Sequence, residues 1–311
     1  MTNKSYTDSS RSNWRGTGKK TINAIVWYPT EDTTTPETMI GQFVKVPVTA
    51  EGKVLMTNKK YPVIIFSHGA ASTALQMIAW GHYLASRGYI VVSVNHKGDS
   101  TQEVQLGAFS LADRQMWHRP QDLTAVLNQF LLDPLFRPFI DKDKVAVGGF
   151  SLGGYTAIAI AGARLDLNQL RTKSELDALP AEIRKSIEVY GELLKKDTIL
   201  QQSLQHSGDS FKDKRIKGVF ALAPAIGEGF TKSGLSEINV PVQIVVGDED
   251  VVAPKEKNAE LYAKGIKGAK LTVLPHEVGH ITKPDPVSDE NWLKVFKMSY
   301  DFYQKLWSMK Q

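Results

Sequence analysis

Short runs of consecutive apolar residues, rich in Val and Ile, punctuate this chain at 61–66, 89–94, 145–147, 219–222, 240–246 and 271–274. A run of that length without polar alternation fits a strand buried on both faces, as in a parallel sheet. Between these runs lie stretches of helical spacing: 74–87, stopped by Gly88; 119–131; an Ala/Ile-rich run at 155–163; and an amphipathic 290–309. Ahead of them, 21–28 and 42–46 read as strands around a Thr/Pro/Glu-rich loop. Strands and helices in alternation predict an α/β fold, a mostly parallel central sheet with helices on both faces. The alternation breaks once, at 164–215, where Ile183, Ile187, Tyr190 and Leu194 recur at helical spacing and no strand-like run occurs. This helical insertion is either a cap over a pocket or a packing excursion on the sheet edge.

A chain of 311 residues can bury one large core. The predicted layout is a polar N-terminal tail, 1–20, followed by a single domain, 21–311, that carries the insertion. No apolar run approaches the ~18 residues of a membrane-spanning helix. Residues 1–20 lack the apolar centre of a signal peptide, so the expectation is a cytosolic protein or a secreted one whose leader has been removed. The absence of cysteine excludes disulfides, a thiol nucleophile and Cys-based metal sites. The net charge of +5 is spread over scattered lysines with no aromatic-basic stripe, which points to a solvated surface rather than a nucleic-acid partner.

Chemistry enters at Gly149-Phe150-Ser151-Leu152-Gly153. This Gly-x-Ser-x-Gly follows a strand-like run and opens a helical one, the context of a nucleophile elbow. The turn has no room for side chains at its two glycines. Ser151 is the candidate nucleophile, set at a helix N-terminus whose backbone N–H groups are unpaired.

An elbow serine needs a base and an orienting acid, which follow later in the chain in the order Asp/Glu, His. The 240–246 strand ends in Gly247-Asp248-Glu249-Asp250, and the 271–274 strand runs into Pro275-His276-Glu277-Val278-Gly279-His280. Open α/β sheets keep their sites just past the C-terminal ends of strands. Asp250 and His280 are the preferred acid and base, with Asp248 and His276 as alternatives. His276-Glu277-Val278-Gly279-His280 also matches the zinc-protease pattern His-Glu-x-x-His. That chemistry requires a helix, which Pro275, Gly279, Pro284 and Pro286 oppose. No metal and no cofactor is expected.

The 61–66 strand ends in Ser67-His68-Gly69-Ala70-Ala71-Ser72. The backbone amides of Ala70 and Leu152 are the candidate oxyanion donors, the second being the residue after the nucleophile. His68 and His96 follow strand ends without a partnered motif and read as loop-positioning residues. Trp80, Tyr83, Phe109, Trp117 and Phe150 are core aromatics or the lining of an acyl pocket.

Phe66-Ser67-His68-Gly69, Gly88-Tyr89-Ile90-Val91-Val92, Gly149 to Gly154, Gly247 to Pro254 and Gly279-His280 together resemble the α/β-hydrolases, over essentially 21–310. The chain looks most like the dienelactone-hydrolase-like group related to platelet-activating-factor acetylhydrolases, and like the polyesterase-lipase-cutinases. Dienelactone hydrolases use Cys where this chain has Ser151. The acetylhydrolases take their acid after the preceding strand, where this chain reads Leu222-Ala223-Pro224-Ala225; the Asp250 placement is cutinase-like. The resemblance implies an α/β-hydrolase fold and a serine carboxylic-ester hydrolase acting on a small-molecule or lipid-like ester. An amidase or peptidase on the same fold, or a catalytically silent binding member, is the alternative.

Overall fold

The computed structural model describes residues 1–12, 18–32, 37–40, 44–100, 115–169, 192, 195–275, 278–280 and 290–308. Among these, eight strands form one sheet: β1 (Thr2–Ser12), β2 (Lys19–Trp27), β5 (Tyr61–Ser67), β6 (Ile90–Val94), β7 (Ile140–Phe150), β8 (Ile216–Leu222), β9 (Val242–Gly247) and β10 (Lys270–Leu274). Their spatial order is β1-β2-β6-β5-β7-β8-β9-β10. β1 with β2 and β2 with β6 run antiparallel, and every other pairing is parallel. β3 (Glu37–Ile40) and β4 (Val44–Pro47) pair as a separate antiparallel ribbon.

The central runs are apolar because they are covered twice. Val63, Ile64, Ile65, Phe66, Val91, Val92, Val145 and Val147 are all fully buried. The helices include α1 (Ile78–Ala85), α2 (His118–Phe130), α3 (Leu152–Ile160), α4 (Thr198–Gln205), α5 (Lys232–Ser236), α6 (Ala259–Gly265) and α7 (Glu290–Ser308). Two neighbouring glycines of β7 show how they are distributed. A Cβ on Gly148 would meet Phe66 and Tyr303 of α7, whereas a Cβ on Gly149 would meet Gly153 of α3. Successive strand residues point to opposite faces, so α7 and α3 lie on opposite sides of the sheet. The α7 side is filled by Trp80 of α1, packed against Phe66, Phe220 and Phe296.

The expected polar tail at 1–20 is corrected here: Thr2–Ser12 is the edge strand β1, in register with β2. Its polar text misled because an antiparallel edge strand needs an apolar side chain only where it meets the core. Tyr6 fills that place, and ion pairs do the rest: Lys4 with Asp133 at 2.9 Å and Arg11 with Asp122 at 2.8 Å. Within the insertion, the described elements are a 3-10 turn at Leu167–Gln169 and helix α4. Ile183, Ile187, Tyr190 and Leu194 lie outside the described residues.

Candidate active site

β7 delivers Ser151 and α3 begins at the next residue. Ser151 has φ 56° and ψ −119°, a conformation that costs a side-chain-bearing residue roughly 1–3 kcal/mol. Neighbours hold it there: its N–H donates to Leu222 O at 2.9 Å, and its carbonyl accepts from Ala225 N at 3.1 Å. A Cβ on Gly149 would overlap the Gly153 carbonyl, and one on Gly153 the Ser67 carbonyl. The tight turn therefore tolerates only glycine on either side of the serine.

His280 Nε2 lies 2.9 Å from Ser151 Oγ, and His280 Nδ1 lies 2.7 Å from Asp250 Oδ2. The other carboxylate oxygen, Oδ1, accepts from Val252 N at 3.0 Å and Ala253 N at 2.8 Å. That leaves Oδ2 aimed at the imidazole. Burial pushes the Asp250 carboxyl up, but the hydrogen bonds from His280 and the two amides outweigh it and hold the group below the usual carboxylate range. Asp250 is buried, while Ser151 keeps 8% of its surface. The histidine loop passes so close over β9 that a Cβ on Gly247 would overlap Val278 O. Phe150 packs against the imidazole, with ring centroids 4.9 Å apart.

Asp248, the alternative acid, is placed elsewhere: it pairs with Lys255 at 2.9 Å, on the surface. His276 and Glu277 lie outside the described residues, as does Phe109. Trp80 and Tyr83 belong to the α7 side, where both pack against Phe296. Trp117 instead joins Met116, Leu152, Tyr155, Ala159 and Leu165 in an apolar cluster beside the elbow. Leu204 of α4 packs against that cluster, and Ser203 accepts from Trp117 Nε1 at 2.9 Å.

The loop after β5 is held from both sides of Ala70. Gly69 N donates to Gln76 Oε1 at 2.7 Å, and Ala71 N donates to Asp99 Oδ1 at 2.9 Å. Ala71 itself sits at φ 55°, so its conformation depends on such restraints.

Beneath this loop runs a buried polar network that the sequence pattern did not reveal. Arg119, at the start of α2, pairs with Asp99 and donates to the His68 carbonyl. Its Nε donates to Thr156 Oγ1 at 3.1 Å. His68 donates from Nδ1 to Gly69 O and accepts the His96 backbone N–H at Nε2, at 2.7 and 3.1 Å. His96 in turn joins Ser67 to Asp122, which also binds Arg11 and Lys20. Burial, followed by the Arg119 charge, pushes His96 down to about 3 and His68 well below its ordinary value. Both are neutral hydrogen-bonding elements. The available signal was positional, since Asp99 and His96 follow the C-terminal end of β6.

Known proteins of similar shape agree with this architecture. A ferulic acid esterase from Streptomyces cinnamoneus superposes with a TM-score of 0.61 at 19% identity, covering 90% of this chain and 74% of that one. Est1E from Butyrivibrio proteoclasticus superposes with a TM-score of 0.50 at 16% identity, covering 98% of both. The chain has the α/β-hydrolase fold.

Two segments of this chain also match families by sequence. Residues 34–106, which contain the Ala70 loop, match the family described as platelet-activating factor acetylhydrolase, isoform II. Residues 77–169, which contain the elbow, match the prolyl oligopeptidase family. The platelet-activating factor acetylhydrolase of Bos taurus is 31% identical over 33% of this chain. That of Cavia porcellus is 30% identical over 37% of it. The chain spans about a third of the length of these curated relatives, 32% and 35% respectively.

Proposed function

We propose that this chain is a serine carboxylic-ester hydrolase with Ser151 as nucleophile, His280 as base and Asp250 as orienting acid. The observation that carries this is the continuous line Ser151 Oγ–His280 Nε2, His280 Nδ1–Asp250 Oδ2, built on a strained elbow. His280 takes the Ser151 proton as Oγ attacks the ester carbonyl, and Asp250 stabilises the resulting imidazolium. The amides of Ala70 and Leu152 receive the developing oxyanion, each worth roughly 3 kcal/mol by the usual cost of losing one donor. The alcohol leaves with the His280 proton. Water, deprotonated by His280, then attacks the acyl-serine and returns the free enzyme.

A small-molecule or lipid-like ester suits the apolar cluster beside the elbow, and α4 of the insertion contributes to that wall. The acetylhydrolase relatives support the same bond class. Peptide or amide hydrolysis is the second reading, favoured by the prolyl oligopeptidase match across the elbow.

A fluorophosphonate probe and p-nitrophenyl esters of increasing chain length, applied to the parent and Ser151→Ala, test this. Stoichiometric labelling and turnover by the parent alone are expected. A folded parent that neither labels nor turns over would overturn the assignment, and turnover of amide substrates only would favour the second reading.

A further inference from the structure

We infer that Arg119 is a positioning residue that locks the two proposed oxyanion donors, Ala70 and Leu152, into one rigid frame. The inference depends on the ester-hydrolase reading above. The donors come from different elements: Ala70 from the loop after β5, and Leu152 from the first turn of α3. Their separation and direction must match a single oxygen, and catalysis by preorganised dipoles is lost when they drift.

Arg119 touches both sides. Toward the β5 loop, one terminal nitrogen donates to the His68 carbonyl and the other binds Asp99. Asp99 uses its second oxygen to hold the Ala71 amide at 2.9 Å. The peptide units before and after the one that carries the Ala70 N–H are thus both tied to one guanidinium. Toward α3, the Arg119 Nε donates to Thr156 Oγ1 at 3.1 Å, and Thr156 donates to the Leu152 carbonyl at 2.9 Å. Arg119 is itself buried, with Asp99 and Thr156. A planar fork with fixed donors transmits geometry as a lysine ammonium does not. The same spread of bonds explains how Ala71 keeps a left-handed backbone without being glycine.

The test compares the parent with Arg119→Met, Arg119→Lys and Thr156→Val, measuring kcat per fluorophosphonate-titrated serine, KM, and affinity for a trifluoromethyl ketone that forms a tetrahedral adduct on the serine. For Arg119→Met, kcat per titrated serine should fall about 10²-fold, the scale of a lost oxyanion donor. KM should change little, and ketone affinity should fall in parallel with kcat. Arg119→Lys should recover only part of the loss. Thr156→Val removes the α3 side alone, so a smaller parallel loss is expected, and it decides the matter if Arg119→Met does not fold. Unchanged kcat per titrated serine and unchanged ketone affinity in a folded variant would overturn the inference while leaving the ester-hydrolase reading intact. A parent that neither labels nor turns over removes both.

Discussion

His96 Nε2 lies 2.8 Å from Ser67 Oγ, while its Nδ1 lies 3.0 Å from Asp122, so the molecule contains a second Ser-His-Asp alignment. Its distances match those around Ser151, yet its surroundings are opposite. Ser67 is fully buried at an ordinary strand end, and His96 is pushed down to about 3 by burial and by Arg119. A base that cannot accept a proton and a hydroxyl that cannot meet a substrate make a structural brace. Fluorophosphonate labelling mapped by peptide mass spectrometry should find Ser151 alone, and Ser151→Ala should carry no label at Ser67. Label at Ser67 would contradict this account.

Acid should loosen the fold while most carboxylates are still ionised. His96 and His118 are both pushed down to about 3, burial being the first cause for each, against an ordinary value of 6.5. Between those values the unfolded chain binds protons that the folded one refuses, so the stability these histidines contribute is full above about 6.5. It is lost progressively as pH falls toward 3. Tm measured at constant ionic strength should decline from pH 7 to pH 5. A flat Tm over that interval would show that these rings are not held neutral.

The two candidate acids separate by charge-neutral substitution. Asp250→Asn should cost on the order of 10⁴ in kcat, because the amide no longer stabilises the imidazolium or enforces its tautomer. Asp248→Asn breaks only an exposed pair with Lys255 and should leave kcat within a few-fold, with under about 1 kcal/mol of stability lost. Equal losses in the two variants would undo the assignment.

Asp122 is buried and binds Lys20 and Arg11, each at 2.8 Å, besides His96. Lys20 is fully buried as well, and burial pulls its ammonium below the ordinary lysine range despite Asp122. Asp122→Ala strands these cations and should destabilise the protein by about 3–5 kcal/mol. Urea unfolding would measure it. A loss under 1 kcal/mol would mean the cluster is far better solvated than its burial implies.

Gly247→Ala places a methyl group against Val278 O, on the loop that carries His280. The loop should lift, lengthening the His280–Ser151 contact and lowering kcat at least tenfold, while the stability of the sheet changes by far less. Parallel measurements of kcat and Tm would tell a displaced base from a general loss of fold.

Much of this architecture was readable because its signals are local. Val- and Ile-rich runs mark parallel strands, buried at the centre of the sheet and only partly covered at its edge, where Val273 of β10 is exposed, and the structure extends them by a few residues, as at Ile140–Phe150. Glycine spacing around Ser151 and the strand-end positions of Asp250 and His280 marked side chains that the fold brings together. What stayed hidden is long-range and polar. Arg119 meets His68 across 51 positions and Arg11 meets Asp122 across 111. Charged residues at such separations look like ordinary surface until the fold removes them from water. Thr2–Ser12 was missed for the same reason, since its partners lie far along the chain.

The bond between Ser151 and His280 spans 129 positions, and this has a consequence for how the protein is made. A ribosome-bound chain exposes its serine elbow long before the histidine loop has been synthesised. During that interval the hydroxyl is an ordinary alcohol. On the proposed assignment, reactivity waits until β9 and β10 dock and carry Asp250 and His280 into place together, so a chain truncated before them would hold Ser151 with neither partner.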